Sequence, residues 1–193
     1  MNNKKTNFAS TKTLVMCAIL TALVVVLQFM GSFIHIGMFS ISLVLIPIVI
    51  GTATCGAGVG AWLGFVFGVV VLLSGDAGAF LAVNPLGTII TVLLKGIACG
   101  GISGIVYQLI AKKNRVGGVI ASAIACPVVN SGIFLIGCFI FFMDTIIGWA
   151  GGQELGYYII FGLGLVNFPV ELAINLILSP VIVRLIEISN KQK

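Results

Sequence analysis

Long apolar runs alternate with short polar breaks along the whole chain. The first run extends from Thr13 to Phe33, and the stretch from Phe39 to Ser74 carries no charge at all. At that length the second stretch holds two short spans, joined by a glycine-rich turn near Thr54 to Gly60. Further runs cover Pro85 to Ala111, Val119 to Phe142 and Tyr158 to Ile188, with Pro127, Pro169 and Pro180 inside them. The breaks hold turn formers: Gly31 and Gly37 around His35, Gly75-Asp76 through Asn84-Pro85, the basic Lys112 to Gly118, and Met143 to Tyr157. Roughly 20 apolar residues cross a bilayer core as a helix, and lipid leaves no partner for irregular backbone. Barrel strands would show instead as short alternating segments. The pattern predicts an all-α integral membrane protein with six transmembrane helices.

Composition agrees with the pattern. With 60% hydrophobic residues, 8% charged residues and a mean hydropathy of +1.25, the chain lacks the polar side chains to cover a soluble surface. The first run is longer than a secretory signal core and ends in no small-residue cleavage site, so it reads as a retained helix. Cys17, Cys55, Cys99, Cys126 and Cys138 are scattered through apolar segments without the paired spacings of a zinc site or a disulfide framework. The net charge of +5 belongs to topology and not to nucleic acid, because the basic residues flank membrane segments. The N-terminal tail, the loop after the fourth helix and the C-terminal end hold every lysine and arginine except Lys95, whereas the opposite loops carry Asp76, Asp144 and Glu154. Both termini are therefore expected in the cytoplasm. The expected organisation is a tail over 1–12, one six-helix domain over 13–188 in the cell membrane, and a tail over 189–193.

Polar residues inside the spans carry the chemistry. Lys95 lies about ten residues into the fourth helix, which at ~1.5 Å per residue is about half the hydrocarbon thickness. Glu171 in the sixth helix and Asn130 in the fifth fall at a similar level. Asn84, Thr88, Thr91 and Lys95 share one helix face by their spacing, as do Asn167, Glu171 and Asn175. Charged groups at that depth face a partner or a water-filled cavity. Two readings stay open: a substrate cavity reached from outside, or a buried Lys95–Glu171 ion pair with Asn130 as an interhelical hydrogen bonder. Asn84 and Thr88 also suit helix capping, and His35 has no second histidine for a metal site. Trp149, Tyr157 and Tyr158 fit an interfacial belt at least as well as a lid.

Small residues form the remaining pattern. Gly60, Gly64 and Gly68 recur every four residues, as do Gly96, Gly100 and Gly104, giving two smooth helix faces for close packing. Ala18 and Ala22 make a similar pair near the inner end of the first helix. With these features the chain resembles the substrate-binding S components of energy-coupling factor (ECF) transporters, which take up vitamins and micronutrients. The resemblance spans nearly the whole chain. It rests on the six-span plan, the alanine pair, and the stretches IPIVIG from Ile46 to Gly51, GAWLGFVFG from Gly60 to Gly68 and VNFPVEL from Val166 to Leu172.

The resemblance implies partners and a mechanism. Ala18 and Ala22 would meet a transmembrane coupling subunit that rides on two ABC ATPases, since this chain has no phosphate-binding loop of its own. No cofactor is implied. Substrate would enter from outside under a lid formed by the loop from Gly31 to Gly37, and the S component would topple to release it inside. The depth and side of the polar residues supply the candidates for substrate binding: Asn84, Thr88, Lys95, Asn130, Asn167 and Glu171. Lys95 favours an anionic vitamin such as pantothenate or niacin, while neutralisation by Glu171 would suit an uncharged ring like riboflavin's. Pantothenate is marginally preferred. A stand-alone permease or channel is the alternative, distinguished by uptake without ATPases, and an intramembrane enzyme is disfavoured because Glu171 and Glu187 lie too far apart to cooperate.

Overall fold

The computed structural model describes residues 11–33, 35–36, 39–40, 43–163 and 167–191. In chain order they form α1 (Thr11–Gly31), a two-residue antiparallel ribbon of β1 (His35–Ile36) and β2 (Phe39–Ser40), α2 (Leu45–Cys55) and α3 (Ala57–Ser74). Then come α4 (Gly78–Val83), α5 (Pro85–Ala111), α6 (Arg115–Phe141), α7 (Met143–Ala150) and α8 (Leu155–Tyr157). A π turn (Tyr158–Gly162) and α9 (Asn167–Lys191) follow. Among the described residues four helices, α1, α3, α5 and α6, are long and apolar enough to cross a membrane, with mean hydropathies of 2.5, 2.1, 2.0 and 2.2. The fold is all-α apart from the ribbon.

The tightest joint in the bundle is made of backbone. α3 and α5 run antiparallel with Gly60 against Gly100 and Gly64 against Gly96, so close that a methyl group on Gly60 would lie 2.6 Å from the Gly100 carbonyl oxygen. One on Gly64 would overlap the Gly96 carbonyl outright. Below this pair Gly104 rests on Ala57, and above it Gly68 faces Val92. Lipid offers apolar side chains no hydrophobic reward for packing together, so close backbone approach and dispersion hold membrane helices. The two glycine rows read in the sequence are thus the two halves of one seam. α6 extends it on the other side of α5, where Gly118 abuts Ala111 and Gly137 abuts Thr91.

Around this seam the apolar core gathers Leu20 and Val24 of α1, Ile48 and Val49 of α2, Leu63 and Phe67 of α3, and residues of α5, α6 and α9. α1 contributes only one stripe: Leu20, Val24 and Gln28 are buried, while Ala18 and Ala22 are exposed on its other side. The basic residues Lys112, Lys113 and Arg115 are all exposed at the turn between α5 and α6.

Local chemistry moved several boundaries. The uncharged stretch from Phe39 to Ser74 divides at Gly56, whose φ of 99° ends α2 and starts α3. α6 starts at Arg115, earlier than expected, because the Asn114 side chain accepts from the N–H groups of Val116 (3.0 Å) and Gly117 (3.2 Å) and draws the glycines into the first turn. It then runs through Pro127 without a break in the helical run. The two outer connections expected as loops each contain short helices, α4 and then α7 with α8. Both α4 and α7 carry buried aromatic or aliphatic residues, Phe80 and Ile146, that fold them onto the bundle. Tyr158–Gly162 forms a π turn, and the last helix is described over Asn167–Lys191.

Substituting the seam tests its weight. Gly64→Ala is expected to destabilise the protein by about 2 kcal/mol or more by forcing α3 from α5, whereas Gly132→Ala, which meets no atom within 4 Å, leaves stability nearly unchanged. Thermal unfolding in detergent measures both, and equal melting temperatures for the two variants would contradict the seam's role.

Candidate functional site

One large cavity opens among α1, α3, α5, α6 and α9, at the end remote from the basic turn. Its volume is about 90 Å³ when counted as space for the centres of water-sized spheres. One wall is aromatic, with Phe67, Phe80, Phe134 and Phe142, and the others carry Gln28, Asp76, Thr88, Thr91, Lys95, Asn130 and Glu171.

Each polar group is set by its helix. Asn84 accepts from Gly87 N at 3.0 Å and caps α5, with Pro85 in the first helical position where its missing N–H is harmless. Its carbonyl accepts from the Thr88 hydroxyl at 2.8 Å. Thr91 and Lys95 follow on the same face, one and two turns deeper. The Lys95 ammonium lies between two rings, 5.6 Å from the Phe67 centroid and 5.3 Å from that of Phe134. Ring faces carry negative charge density, so each stabilises the cation by about 1 to 2 kcal/mol in a desolvated setting. Asn130 and Glu171 are each 5% exposed, and the Asn130 Oδ1 and Thr91 Oγ1 atoms have no hydrogen-bond partner among the described residues. Buried oxygens are costly to leave unpaired, and two that reach a chamber can be completed by water or by a ligand.

Of the six candidates read from sequence, Thr88, Lys95, Asn130 and Glu171 line this one cavity. Asn84 acts as a cap and is not among the lining residues. Asn167 is the first described residue of α9 and its side chain lies outside the described residues, as do the side chains from Ile34 onward in the proposed lid of Gly31 to Gly37. Sequence reasoning missed Gln28 and Asp76. Gln28 is buried in α1 at 2% exposure, and its Nε2 donates to Asp76 Oδ2 at 2.6 Å, joined by the Ser74 hydroxyl at 3.2 Å. A lone amide within an apolar run was the available signal for Gln28. Asp76 gave none, because turn aspartates are common.

Above the cavity sits a cap built from α4 and α7. Phe80 is its hub, meeting Phe142 at 4.9 Å, Trp149 at 5.4 Å and Phe134 at 5.8 Å, all edge to face. That geometry puts ring edges against ring faces, the favoured arrangement for aromatic pairs. Trp149 therefore packs in the cap and not only in an interfacial belt.

The cavity, the bundle around it and its long apolar helices define a class, a multi-pass membrane protein with a chamber among its helices. A model of the family described as ECF transporter, substrate-specific component, matches residues 12–183. The chain belongs to this family, whose members are components of a transporter in the plasma membrane and not enzymes. The fold is also similar to the solved structure of ThiT from Listeria monocytogenes, with a TM-score of 0.63 and 22% sequence identity over 93% of this chain and 96% of that one. At such identity the likeness concerns the fold alone. Comparison with curated proteins gives no match.

The cap makes its own prediction. Phe80→Ala removes the hub at a cost of about 3 to 5 kcal/mol to local packing. Hydrogen exchange should then accelerate across Gly78–Val83 and Met143–Ala150 while α3 and α5 stay protected. Unchanged exchange in both short helices would show that Phe80 does not hold the cap.

Proposed function

We propose that this chain is the high-affinity substrate-binding subunit of an ECF-type ABC importer and that it captures a vitamin or related micronutrient in the cavity around Lys95. The observation that carries this reading is the convergence of Lys95, Asn130 and Glu171 from three helices on one chamber, where the Thr91 Oγ1 and Asn130 Oδ1 atoms have no hydrogen-bond partner among the described residues. A purely structural ion pair would not require a chamber.

In this reading the six main helices are six crossings, both termini are cytoplasmic, and residues 13–188 act as one domain between short tails at 1–12 and 189–193. The exposed basic turn at Lys112, Lys113 and Arg115 supports that orientation. Thr88, Lys95, Asn130 and Glu171 contact the substrate, with Asn84 and Asn167 at its outer edge. Ala18 and Ala22, exposed on α1, offer a flat surface to a transmembrane coupling subunit carried by two ABC ATPases. Transport follows from toppling of the whole subunit in the membrane. The choice of substrate is the finer question. Lys95 alone favours pantothenate, but Asp76 in the same cavity weakens that preference.

A vitamin screen by thermal shift on the purified protein tests the reading. A ligand at 100 times its Kd stabilises the native state by about 2.7 kcal/mol, so one compound should raise the melting temperature by several degrees while the others do not. Absence of a shift with every vitamin and micronutrient at millimolar concentration would refute it.

A further inference from the structure

Gln28 sits in the last turn of α1 and lines the chamber, although only 2% of its surface is exposed. Glutamine is seldom buried so fully, because both edges of its carboxamide then need partners. Asp76 settles one edge. Its Oδ2 lies 2.6 Å from Gln28 Nε2, with the Ser74 hydroxyl 3.2 Å from the same oxygen. An ionised carboxylate accepts and never donates, so only the nitrogen edge of the amide can meet it. This holds whatever else Asp76 touches.

A glutamine free to turn over meets donors and acceptors alike, since its oxygen and nitrogen are nearly the same size and exchange places by one rotation. Gln28 lacks that freedom. Asp76 lies in the connection between α3 and α4, well away from α1 in sequence, and turning the amide over would break a bond to an ion. Charge-assisted bonds of this kind are roughly twice as strong as neutral ones. The polarity of the amide is therefore set before any substrate arrives.

We propose that Gln28 is a specificity-determining residue of the chamber, whose Oε1 accepts from an N–H or O–H group of the substrate, and that Asp76 is the positioning residue that fixes this polarity. The proposal rests on the reading of this cavity as the substrate site. It selects a substrate that turns an amine, an amide N–H or a hydroxyl toward α1, and it disfavours one with a carbonyl, an ether oxygen or a methylated nitrogen there. An acceptor opposite Oε1 would bring lone pairs together and leave two oxygens without donors. Sites built on a hydrogen bond reject analogues that cannot make it far more strongly than apolar pockets reject a missing methylene. Holding the amide in place beforehand also spares the reorganisation that binding would otherwise cost.

The test compares compounds that differ at one donor. Purified protein is titrated with thiamine against oxythiamine, riboflavin against 3-methylriboflavin, and pyridoxamine against pyridoxal. Nicotinamide against methyl nicotinate, biotin against its N-methyl derivative, and pantothenate against its secondary O-methyl ether complete the set. In the pair that binds, the member that keeps the donor should be at least about tenfold tighter. Gln28→Met, which is unbranched like glutamine, should abolish that preference. Asp76→Asn can donate or accept, so it lets the amide lie either way and should narrow the preference to about threefold or less. Equal binding of the two members by the native protein overturns the proposal, as does a preference that survives both substitutions. Gln28 then only joins α1 to the connection after α3, and the cavity remains a substrate site. The native ranking can overturn the proposal even if a variant fails to fold. If no compound of any pair binds, the reading of the cavity as a vitamin site fails, and the proposal falls with it.

Discussion

The bare contact between α3 and α5 governs the rest of the structure. Gly64 and Gly96 bring two backbones to a separation that no side chain would allow. Lys95 is the residue before Gly96, and Phe67 lies one turn from Gly64. Close approach of the two helices thus sets the lysine beneath an aromatic face, 5.6 Å from its centroid. The same joint leaves α6 to close the other side of α5, where Phe134 supplies the second ring at 5.3 Å. A charge inside a membrane protein needs an environment that replaces water. Here the seam supplies part of that environment, and the chamber supplies the remainder.

Much of this was legible in the chain because membranes impose strict rules on sequence. Continuous apolar runs, the clustering of lysine and arginine, and glycines repeating every fourth residue each have one dominant physical cause. They gave the long apolar helices, a division between Thr54 and Gly60 and the two halves of the seam, although not the fact that the halves face each other. The polar stripe of Thr88, Thr91 and Lys95 and the midplane position of Asn130 and Glu171 pointed to the cavity. Depth along a helix is readable from residue counting alone.

What the sequence hid lies in the outer connections. Gly75-Asp76 and the Met143 to Tyr157 segment are rich in turn formers, yet between them sit short apolar pieces, around Phe80 and Ile146, that fold only because the bundle top offers them a surface. Local propensity does not record such tertiary support. Asp76 was read only as a turn former and a loop charge for the same reason, since its contact with Gln28 joins residues far apart in sequence. Asn84 shows the opposite limit: one residue type serves equally as cap and as ligand contact, and only the geometry at Gly87 separates them.

The account turns on whether Lys95 serves a ligand or only holds helices together. Binding and unfolding measured side by side on Lys95→Met decide this most directly. Methionine keeps the apolar length of the lysine stem and packs against the Phe67 and Phe134 rings. The variant should therefore remain folded without ligand, and lose the stabilisation that the ligand confers on the native protein. Normal ligand binding by a stable Lys95→Met protein would contradict the account, as would a variant that unfolds because the lysine was needed to join the helices.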